Sequence, residues 1–427
     1  MKKILKPLCI AILTFSVMSC NNEKNEQIVE NPQQKITEPS SLEGKIIPNQ
    51  YIVVLKDEVI KSARARFEWK ANSTRESKAQ EMEALNLIVE GELNNWLAKN
   101  NIPSTAVVFK HKTTFVGFTV NLAPDAFNTL KRNPSINFIE CDRIEEIPTF
   151  QVEESKTGNA TEAVLAQTTP CGITNAGGAA TTVSTDRWVW VIDSGIDLDH
   201  PDLNVITNTT YAKTFATGTT TPDDENGHGT HVAGTIGAKN NTIGVIGVAP
   251  NAPVVPVRVF GATGGSSTSV IINGINHVAT YDAPGDVVNM SLGGYFGSNC
   301  ATNSSYKSAV TSLAVTSKIA IAAGNDAASS TLYQPGCLNG TNIYTVASMT
   351  CSKTFSSSFS NFGTSTVDWI ATGSSVYSTY KNGGYATLSG TSMATPHVAG
   401  IMQVRNAAPA QNGSVTYNGA TYKIAVR

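Results

Sequence analysis

Residues 188–197 read WVWVIDSGID, and this stretch decides the fold. An unbroken apolar run stops at once on Asp193, Ser194 and Gly195. A strand with one wet face alternates apolar and polar residues, so an unbroken run means a strand covered on both faces. Further runs after residue 166 share this texture: VVPVRVF (254–260), DVVNMSL (286–292), IAIAA (319–323), YTVASM (344–349) and DWIAT (368–372). Helical spacing lies between several of them. One stripe is Val270, Ile271, Ile275 and Val278, and another is Tyr306, Val310 and Leu313. The pattern predicts an α/β domain, a mainly parallel sheet with helices on both faces. In such sheets the chemistry collects beyond the carboxyl ends of the strands, where Asp193 stands.

Upstream the elements are smaller. QYIVVLKD (50–57) predicts a strand, and Ser73 with Glu76 a capping box before a long helix. That helix carries a stripe of Met82, Leu85, Val89, Leu93 and Trp96. Strands at AVVFKHKT (106–113), VGFTVNLA (116–123) and INFIECD (136–142) surround a short helix at PDAFNTLKRN (124–133). The order βαββαβ predicts a small α+β domain over 45–147. It holds no cluster of catalytic residue types, and His111 reads as a surface or packing residue. Residues 148–165 are polar and irregular and read as a linker before a domain over 166–427.

The 427-residue chain is 41% hydrophobic and 15% charged, ample for two domains. A formal charge of −2 gives no basis for binding nucleic acid. Lys2, Lys3 and Lys6 precede an apolar run from Leu8 to Met18. That run is shorter than the about 20 residues that span a bilayer and reads as a secretory signal. It ends VMSC, similar to the lipobox of bacterial lipoproteins. This predicts a signal peptide over 1–19, a lipid on Cys20 and a polar tether over 20–44. Cys171, Cys300, Cys337 and Cys351 lie in the second domain. Exported cysteines predict two disulfides in one of three connectivities. Cys300 with Cys337, leaving Cys171 for Cys351, is the preferred one.

Three segments place reactive side chains at element ends. WVWVIDSGID puts Asp193 after a buried strand. NGHGTHVAGT (226–235) puts His228 at a helix start, and SGTSMATPHVAG (389–400) puts Ser392 at another. A serine hydroxyl is a weak nucleophile until a base takes its proton. A histidine can be that base, and a buried carboxylate fixes its tautomer and stabilises the imidazolium. A helix N-terminus offers unpaired N–H groups and positive potential to an oxyanion. Asn325, in AIAAGNDA (320–327), is placed to donate to the same oxyanion.

In the order Asp, His, Ser these segments resemble the signature motifs of the subtilisin-like serine proteases, the subtilases. The likeness covers nearly all of residues 166–405. AQTTPCGI (166–173) is similar to the start of mature bacterial members. NMSLGG (289–294) and AAGN (322–325) match strands that line the family's primary specificity pocket. This implies substrate contacts from Ser291, Leu292, Gly293, Ala323 and Gly324. AKNNTIGVIGVAP (238–250) is close to the family's calcium loop. Carried over, the ligands are Gln167, Asp202, Asn241 and the carbonyls of Lys239, Ile243 and Val245. Calcium takes six to eight oxygens, backbone carbonyls included.

The first domain resembles the subtilase propeptide, a folding chaperone and inhibitor. The resemblance therefore implies a secreted serine endopeptidase for protein and peptide substrates, made as a self-processing zymogen. It is expected to act as a monomer. The pocket walls are small and uncharged, so an apolar side chain before the cut bond is expected. The expected processing bond, Leu165–Ala166, offers leucine there. The precursor would be held at a bacterial membrane through Cys20. Only this anchor would link it to the membrane, and maturation would free an extracellular or periplasmic enzyme. Two departures stand out. The link from Asp142 to Ala166 is long for the family, and the family's last helix and tail are expected to be shortened or replaced.

Other readings are weaker. His228 and His231 form HxxH, but zinc needs three or four ligands and no third is indicated. GTSMA lacks the last glycine of G-x-S-x-G, and an esterase would follow the order Ser, Asp, His. His200 reads as structural, His277 as a surface or core residue and His397 as packing, and Asp197, Asp199 and Asp286 as solvated or turn residues. A catalytically silent subtilase-fold binding protein is the alternative class. Loss of a triad residue would signal it, yet Asp193, His228, Ser392 and Asn325 are all present.

Overall fold

The structure, a computed structural model, describes residues 44–65, 67, 74–147, 151–156, 166–297, 300 and 303–427. Cys20, Ser73 and Leu165 lie outside them. The first domain runs β1 (Ile46–Leu55), α1 (Lys61–Ala65), α2 (Arg75–Lys99), β2 (Val107–His111), β3 (Gly117–Asn121), α3 (Pro124–Leu130) and β4 (Ile136–Glu146). Its strands lie in the order β2-β3-β1-β4, all antiparallel. The expected cap at Ser73 is replaced by Thr74, whose hydroxyl accepts from Ser77 N at 3.3 Å. Threonine caps a helix about as well as serine, so the start moves by one residue.

The unbroken YIVVL of β1 has a two-sided explanation. Tyr51 stacks on Phe127 of α3 at 4.2 Å, and Phe118 of β3 meets Trp96 of α2 at 5.6 Å. Ile52 and Val54 belong to a different buried cluster, with Trp190, Ile271, Ile275 and Val310 of the second domain. One face of this sheet is therefore covered by its own helices and the other by the second domain.

After β5 (Gln151–Lys156) the second domain runs α4 (Cys171–Asn175), β6 (Val189–Asp193), β7 (Lys213–Thr214), α5 (His228–Gly237), β8 (Val254–Arg258), β9 (Gly265–Ser267) and α6 (Thr268–Tyr281). There follow β10 (Val287–Met290), β11 (Gly294–Tyr295), α7 (Ser305–Leu313), β12 (Lys318–Ala322), β13 (Tyr333–Gln334), β14 (Ile343–Met349) and β15 (Trp369–Thr372). The chain closes with β16 (Val376–Tyr380), β17 (Gly384–Ser389), α8 (Thr391–Arg405), β18 (Ala410–Tyr417) and β19 (Ala420–Val426). The main sheet has the order β18-β19-β15-β14-β12-β10-β6-β8-β7. It is parallel except for the β18–β19 pair. All six apolar runs form its strands. Along β6, Val189 and Val191 join the cluster of α5 and α8, whereas Trp190 and Ile192 join that of α6 and α7. Both faces are buried, as the runs require.

Two elements differ from expectation. Part of the polar linker is a strand: β5 pairs antiparallel with β17. The expected shortened tail is a hairpin, with β19 joined parallel to β15.

The domains meet through buried charge. β4 continues the first sheet onto β9 and points carboxylates at two helix starts. Asp142 accepts from Ser269 N at 3.0 Å and Ser269 Oγ at 2.5 Å, at the start of α6. Glu140 accepts from Ser305 N at 3.1 Å and from Ser305 Oγ, at the start of α7. Glu145 accepts from Thr268 Oγ1 at 2.8 Å. Helix starts have free N–H groups that favour such anions. A second anchor lies at the start of α2. Arg75 donates to Asp286 at 2.5 and 2.9 Å and stacks 3.8 Å over Trp188, while Lys78 pairs with Asp282 at 2.6 Å. Asp286 closes the turn from Ala283, one of the two readings expected, but it is not solvated. It is buried and also accepts from Trp188 N and Trp190 Nε1. Asp197 is buried too and accepts from Gly383 N at 2.7 Å.

Burial raises the Glu140 carboxyl to about 7 and lifts Asp142 above its ordinary range, against hydrogen bonds that pull both down. A raised carboxyl contributes stability that is complete below its ordinary value, 4.5 for Glu140, and is lost as pH rises through about 7. The joint should therefore weaken between those limits. In a Ser392→Ala background, which keeps the chain whole, Glu140→Gln should shift Tm more favourably at pH 8 than at pH 5. An equal shift at both would show that Glu140 titrates as an exposed glutamate.

Candidate active site

Asp193 is the last residue of β6 and is buried. Its Oδ1 accepts from Ser194 N at 2.7 Å and from His228 Nδ1 at 2.7 Å. His228 is the first residue of α5, also buried. Two glycines let the helix begin there. Gly227 caps it at φ 106, a region that suits glycine. At Gly229 a Cβ would lie 2.1 Å from Gly195 O, so only glycine allows this approach to the loop after β6.

Asp224 satisfies the start of α5. Its Oδ1 accepts from Ser194 Oγ, Asn226 N and Gly227 N, and its Oδ2 from Thr230 N and Thr230 Oγ1, all within 2.6–3.0 Å. Arg258, buried at the end of β8, holds the same loop from below. It donates to Asp223 O at 2.6 Å and Glu225 Oε2 at 2.6 Å. Neither residue was singled out in the sequence. Asp224 could have been, because an aspartate four residues before a helix-starting histidine sits at capping distance.

Ser392 is the second residue of α8, which packs against α5. Its hydroxyl donates to Ser291 O at 3.3 Å, and Ser291 Oγ donates to Ser392 O at 2.8 Å. The second bond has a simple origin. Ser392 O would normally receive the N–H four residues on, but that residue is Pro396, which has none. Asn325 lies just beyond β12. Its Oδ1 accepts from Thr391 N and Thr391 Oγ1, both at 2.8 Å, so its Nδ2 is the donor end. A Cβ at Gly390 would lie 3.1 Å from that nitrogen, which puts the amide beside the first turn of α8. Thr391 also accepts from Gly324 N at 3.2 Å; the sequence marks it only as one of the small residues around Ser392, and its hold on Asn325 is a role that sequence reasoning missed.

Ser291, Leu292 and Gly293 follow β10, and Ala323 and Gly324 follow its parallel neighbour β12. The two segments therefore leave the sheet side by side. At Gly324 a Cβ would lie 2.2 Å from Asn361 Nδ2. That asparagine ties down the wall, donating from Nδ2 to Ala323 O and from N to Gly324 O, both at 2.9 Å. One acidic residue adjoins the wall. Asp326 hydrogen-bonds Tyr333, and burial raises its carboxyl.

The six residues expected to hold calcium converge. Gln167 Nε2 donates to Lys239 O, Asn241 Oδ1 and Val245 O at 2.8, 3.2 and 3.3 Å. Asp202 accepts from Asn241 Nδ2 at 2.8 Å and Val245 N at 3.1 Å, and Ile243 N donates to Asn241 Oδ1 at 2.9 Å. Ala166 and Thr168 pair with Ile243 and Val245. Several oxygens thus face one point, with a single carboxylate among them. This donor set fits a hard cation such as calcium. Among the described residues, no group of three or more His, Cys, Asp or Glu side chains could hold a metal ion.

The remaining histidines are structural. His231 lies 2.9 Å from Val376 O, His200 3.0 Å from Gly384 O, and His277 2.7 Å from Tyr211 O. His397 Nδ1 lies 2.9 Å from Met393 O, and His111 Nε2 lies 2.9 Å from Thr119 Oγ1. Burial lowers all five, His231 and His111 to about 3 and the others to about 4. Among the disulfides between described residues are Cys171–Cys351 and Cys300–Cys337, the preferred connectivity.

Asp224 is a strong test of this arrangement, because its removal strands several buried donors. Asp224→Ala should cost about 3 kcal/mol, or roughly 5–10 °C in Tm. Thermal unfolding in the Ser392→Ala background measures it. An unchanged Tm would mean that the turn before α5 is held by other contacts.

A family model described as the subtilase family (Peptidase_S8) matches residues 185–421. The alkaline serine exoprotease A of Vibrio alginolyticus is 38% identical over 297 residues, covering 69% of this chain and 52% of that protein. Subtilisin NAT of Bacillus subtilis subsp. natto is 40% identical over 283 residues, covering 64% and 66%. A solved structure titled as a cold adapted subtilisin-like serine proteinase is 38% identical, with a TM-score of 0.46 and coverage of 52% of this chain and 76% of that one. The chain spans about half to two thirds of the length of these curated relatives. With the family's pattern present across more than half of its residues, the chain belongs to the subtilase family.

Proposed function

We propose that the chain is a secreted serine endopeptidase, with Asp193, His228, Ser392 and Asn325 as its catalytic residues. The observation that carries this is the buried 2.7 Å bond from His228 to Asp193 at the start of α5. α5 packs against α8, whose second residue is Ser392 and whose first, Thr391, orients Asn325. Ser392 Oγ turns from Ser291 O toward His228 Nε2, gives up its proton and attacks the substrate carbonyl carbon. Asp193 steadies the imidazolium through Nδ1–H. Asn325 Nδ2 and the N–H of Ser392 donate to the oxyanion. The C–N bond then breaks, and the leaving amine takes the proton from His228. Water hydrolyses the acyl-enzyme by the same path. A histidine base works only when neutral, so activity falls in acid.

Ser392 is the testable centre. A fluorophosphonate should label it, and Ser392→Ala should lose both peptide hydrolysis and self-processing. A variant that still matured when purified alone would overturn the assignment. The small walls at 291–293 and 323–324 favour apolar side chains before the cut bond, which a peptide library profile would test. Residues 45–147 act as propeptide inhibitor. If Cys20 carries lipid, uncut Ser392→Ala chain should sediment with membranes while the mature wild-type domain stays soluble. Among the described residues no helix is long and apolar enough to cross a membrane.

Gln167, Asp202 and Asn241, with the carbonyls of Lys239, Ile243 and Val245, would hold a structural calcium ion. The ion would supply cross-linking of the 239–245 loop to residue 167 and no catalytic chemistry. A ligand at 100 times its Kd stabilises by ~2.7 kcal/mol, so excess EDTA should lower Tm by roughly 5–10 °C. The rate at 25 °C should hardly change. A Tm that EDTA and Gln167→Ala both leave unchanged would argue against a bound ion.

A further inference from the structure

At the joint with the first domain, the second domain builds a receptor for a guanidinium group. Arg75, the first residue of α2, donates from Nη1 to Asp286 Oδ2 at 2.5 Å and Tyr281 O at 3.3 Å. From Nη2 it donates to Asp286 Oδ1 at 2.9 Å and Asp186 O at 3.1 Å. Its Cζ lies 3.8 Å from the centre of the Trp188 ring. The fork is thus met by two carboxylate oxygens, two carbonyls and an aromatic face. Three residues on, Lys78 Nζ donates to Asp282 Oδ1 at 2.6 Å and Asp282 O at 2.8 Å. The second domain itself fixes these acceptors. Asp286 takes Trp188 N at 2.9 Å, Trp190 Nε1 at 2.8 Å and Ala283 N at 3.0 Å. Asp282 Oδ2 takes Thr316 Oγ1 at 2.5 Å and Ser317 Oγ at 2.7 Å, which turns Oδ1 to the lysine. Trp188 packs at 80° to Tyr211, with 4.9 Å between ring centres. Trp188 and Asp286 stand just before β6 and β10, whereas Asp193 ends β6. The receptor therefore lies at the opposite edge of the sheet, about 16 Å along β6 from Asp193.

We propose that the second domain, once free of the first, uses this cleft as an exosite that recruits protein substrates through an arginine and, three residues later, a lysine at a helix start. The proposal rests on the reading above of an endopeptidase whose first domain is a removable propeptide. Arg75 and Lys78 leave with that domain, and the acceptors they satisfied stay behind in the enzyme. A carboxylate that loses its cation in a half-buried cleft favours a replacement. Arginine is the replacement that fits at Asp286. Only a planar guanidinium reaches both carboxylate oxygens and both carbonyls while it stacks on Trp188. The ammonium of lysine, a compact point charge, suits the single oxygen and carbonyl of Asp282. Residues three apart share one helix face, so the two points together read a helix and not an extended chain. Because the cleft is at the far edge of the sheet, a protein can dock there and leave the candidate active site open. A docked protein then meets that site at the effective concentration of a tethered substrate.

The receptor is tested first in the whole chain, where no proteolysis is needed. Arg75→Ala in the Ser392→Ala background empties it while the domains stay joined. Ethylguanidinium should then raise Tm by roughly 2 °C over its effect on the Ser392→Ala parent, whose receptor is filled. Propylammonium should give no such gain. Equal gains from both ions, or none from either, overturn the proposal whatever the enzyme's activity. In the mature wild-type domain, calorimetry should show N-acetylarginine amide binding about tenfold more tightly than N-acetyllysine amide. Asp286→Asn should remove that preference. Trp188→Leu, which keeps both carboxylates, should weaken the arginine ligand alone by about threefold. A preference that survives both variants lies elsewhere on the domain and overturns the proposal. Last, a protein substrate with a helical Arg-x-x-Lys segment should lose about tenfold in kcat/KM when both residues become alanine, while a short peptide substrate is cut equally well by wild type and Trp188→Leu. An unchanged kcat/KM would show that the cleft recruits no substrate. A wild-type chain that cuts neither substrate defeats the endopeptidase reading instead.

Discussion

The buried carboxylate of Asp193 is the constraint around which the second domain is arranged. It ends a strand in the interior of the sheet, between β10 and β8. An unpaired charge in such a place is costly enough that the group must be hydrogen-bonded or neutralised. Oδ1 takes Ser194 N and His228 Nδ1, while Oδ2 has no partner among the described residues. His228 must therefore stand where it does, and α5 must begin there. That requirement explains the glycine on either side of the histidine and the cap at Asp224. It also explains the buried Arg258, which fixes the loop carrying that cap. On the proposed reading, the bond that stabilises the carboxylate is also the bond that orients the base.

The parts legible in the sequence were those whose residue types are wrong for their neighbourhood. Asp193 after five apolar residues, His228 between glycines and Ser392 among small residues each needed a reason, and the structure brings Asp193 and His228 into contact. The six calcium candidates were scattered over residues 167–245, and only the likeness to a family loop gathered them. Support residues stayed hidden because their types are ordinary. A threonine beside a serine, as at Thr391, gives no signal until its hydroxyl is seen on Asn325. Asp197 and Asp286 do sit in turns, but their burial was not legible because it is set by elements far away in sequence; Arg75 covers Asp286 from another domain. β5 was missed for a related reason. Its sequence, QVEESK, has no apolar face, because its partner is a backbone edge and not a core.

The first domain is a sheet with two apolar faces and helices for only one of them. Ile52, Val54 and Phe115 are buried by α6 and α7, not by their own domain. Taken away from the second domain, this sheet would expose a contiguous apolar patch and two carboxylates that now sit on helix starts. α6 and α7 would in turn lose the anions at their N-termini, though Ser267 and Ser304 still cap them. The asymmetry favours the second domain as the part that stands alone. It retains its own sheet, the Cys171–Cys351 and Cys300–Cys337 disulfides and the 239–245 loop, whereas the first retains half a core.

On the proposed reading, a single cut changes the balance without altering any contact at the joint. While the chain is whole, the first domain meets the second at the effective concentration of a tethered partner, of order millimolar. Once the link is cut, the same contacts must hold at the bulk concentration. Between millimolar and micromolar that difference is about 4 kcal/mol. The ion pairs of Arg75 and Lys78 and the β4–β9 pairing keep the cut domain bound for a time. Each dissociation then exposes the uncovered face, and a sheet with half a core unfolds more readily than it rebinds. An unfolded segment can enter the candidate active site as an extended strand, which a folded one cannot. The cut domain is thereby converted from an inhibitor held by its fold into a substrate recognised by its backbone.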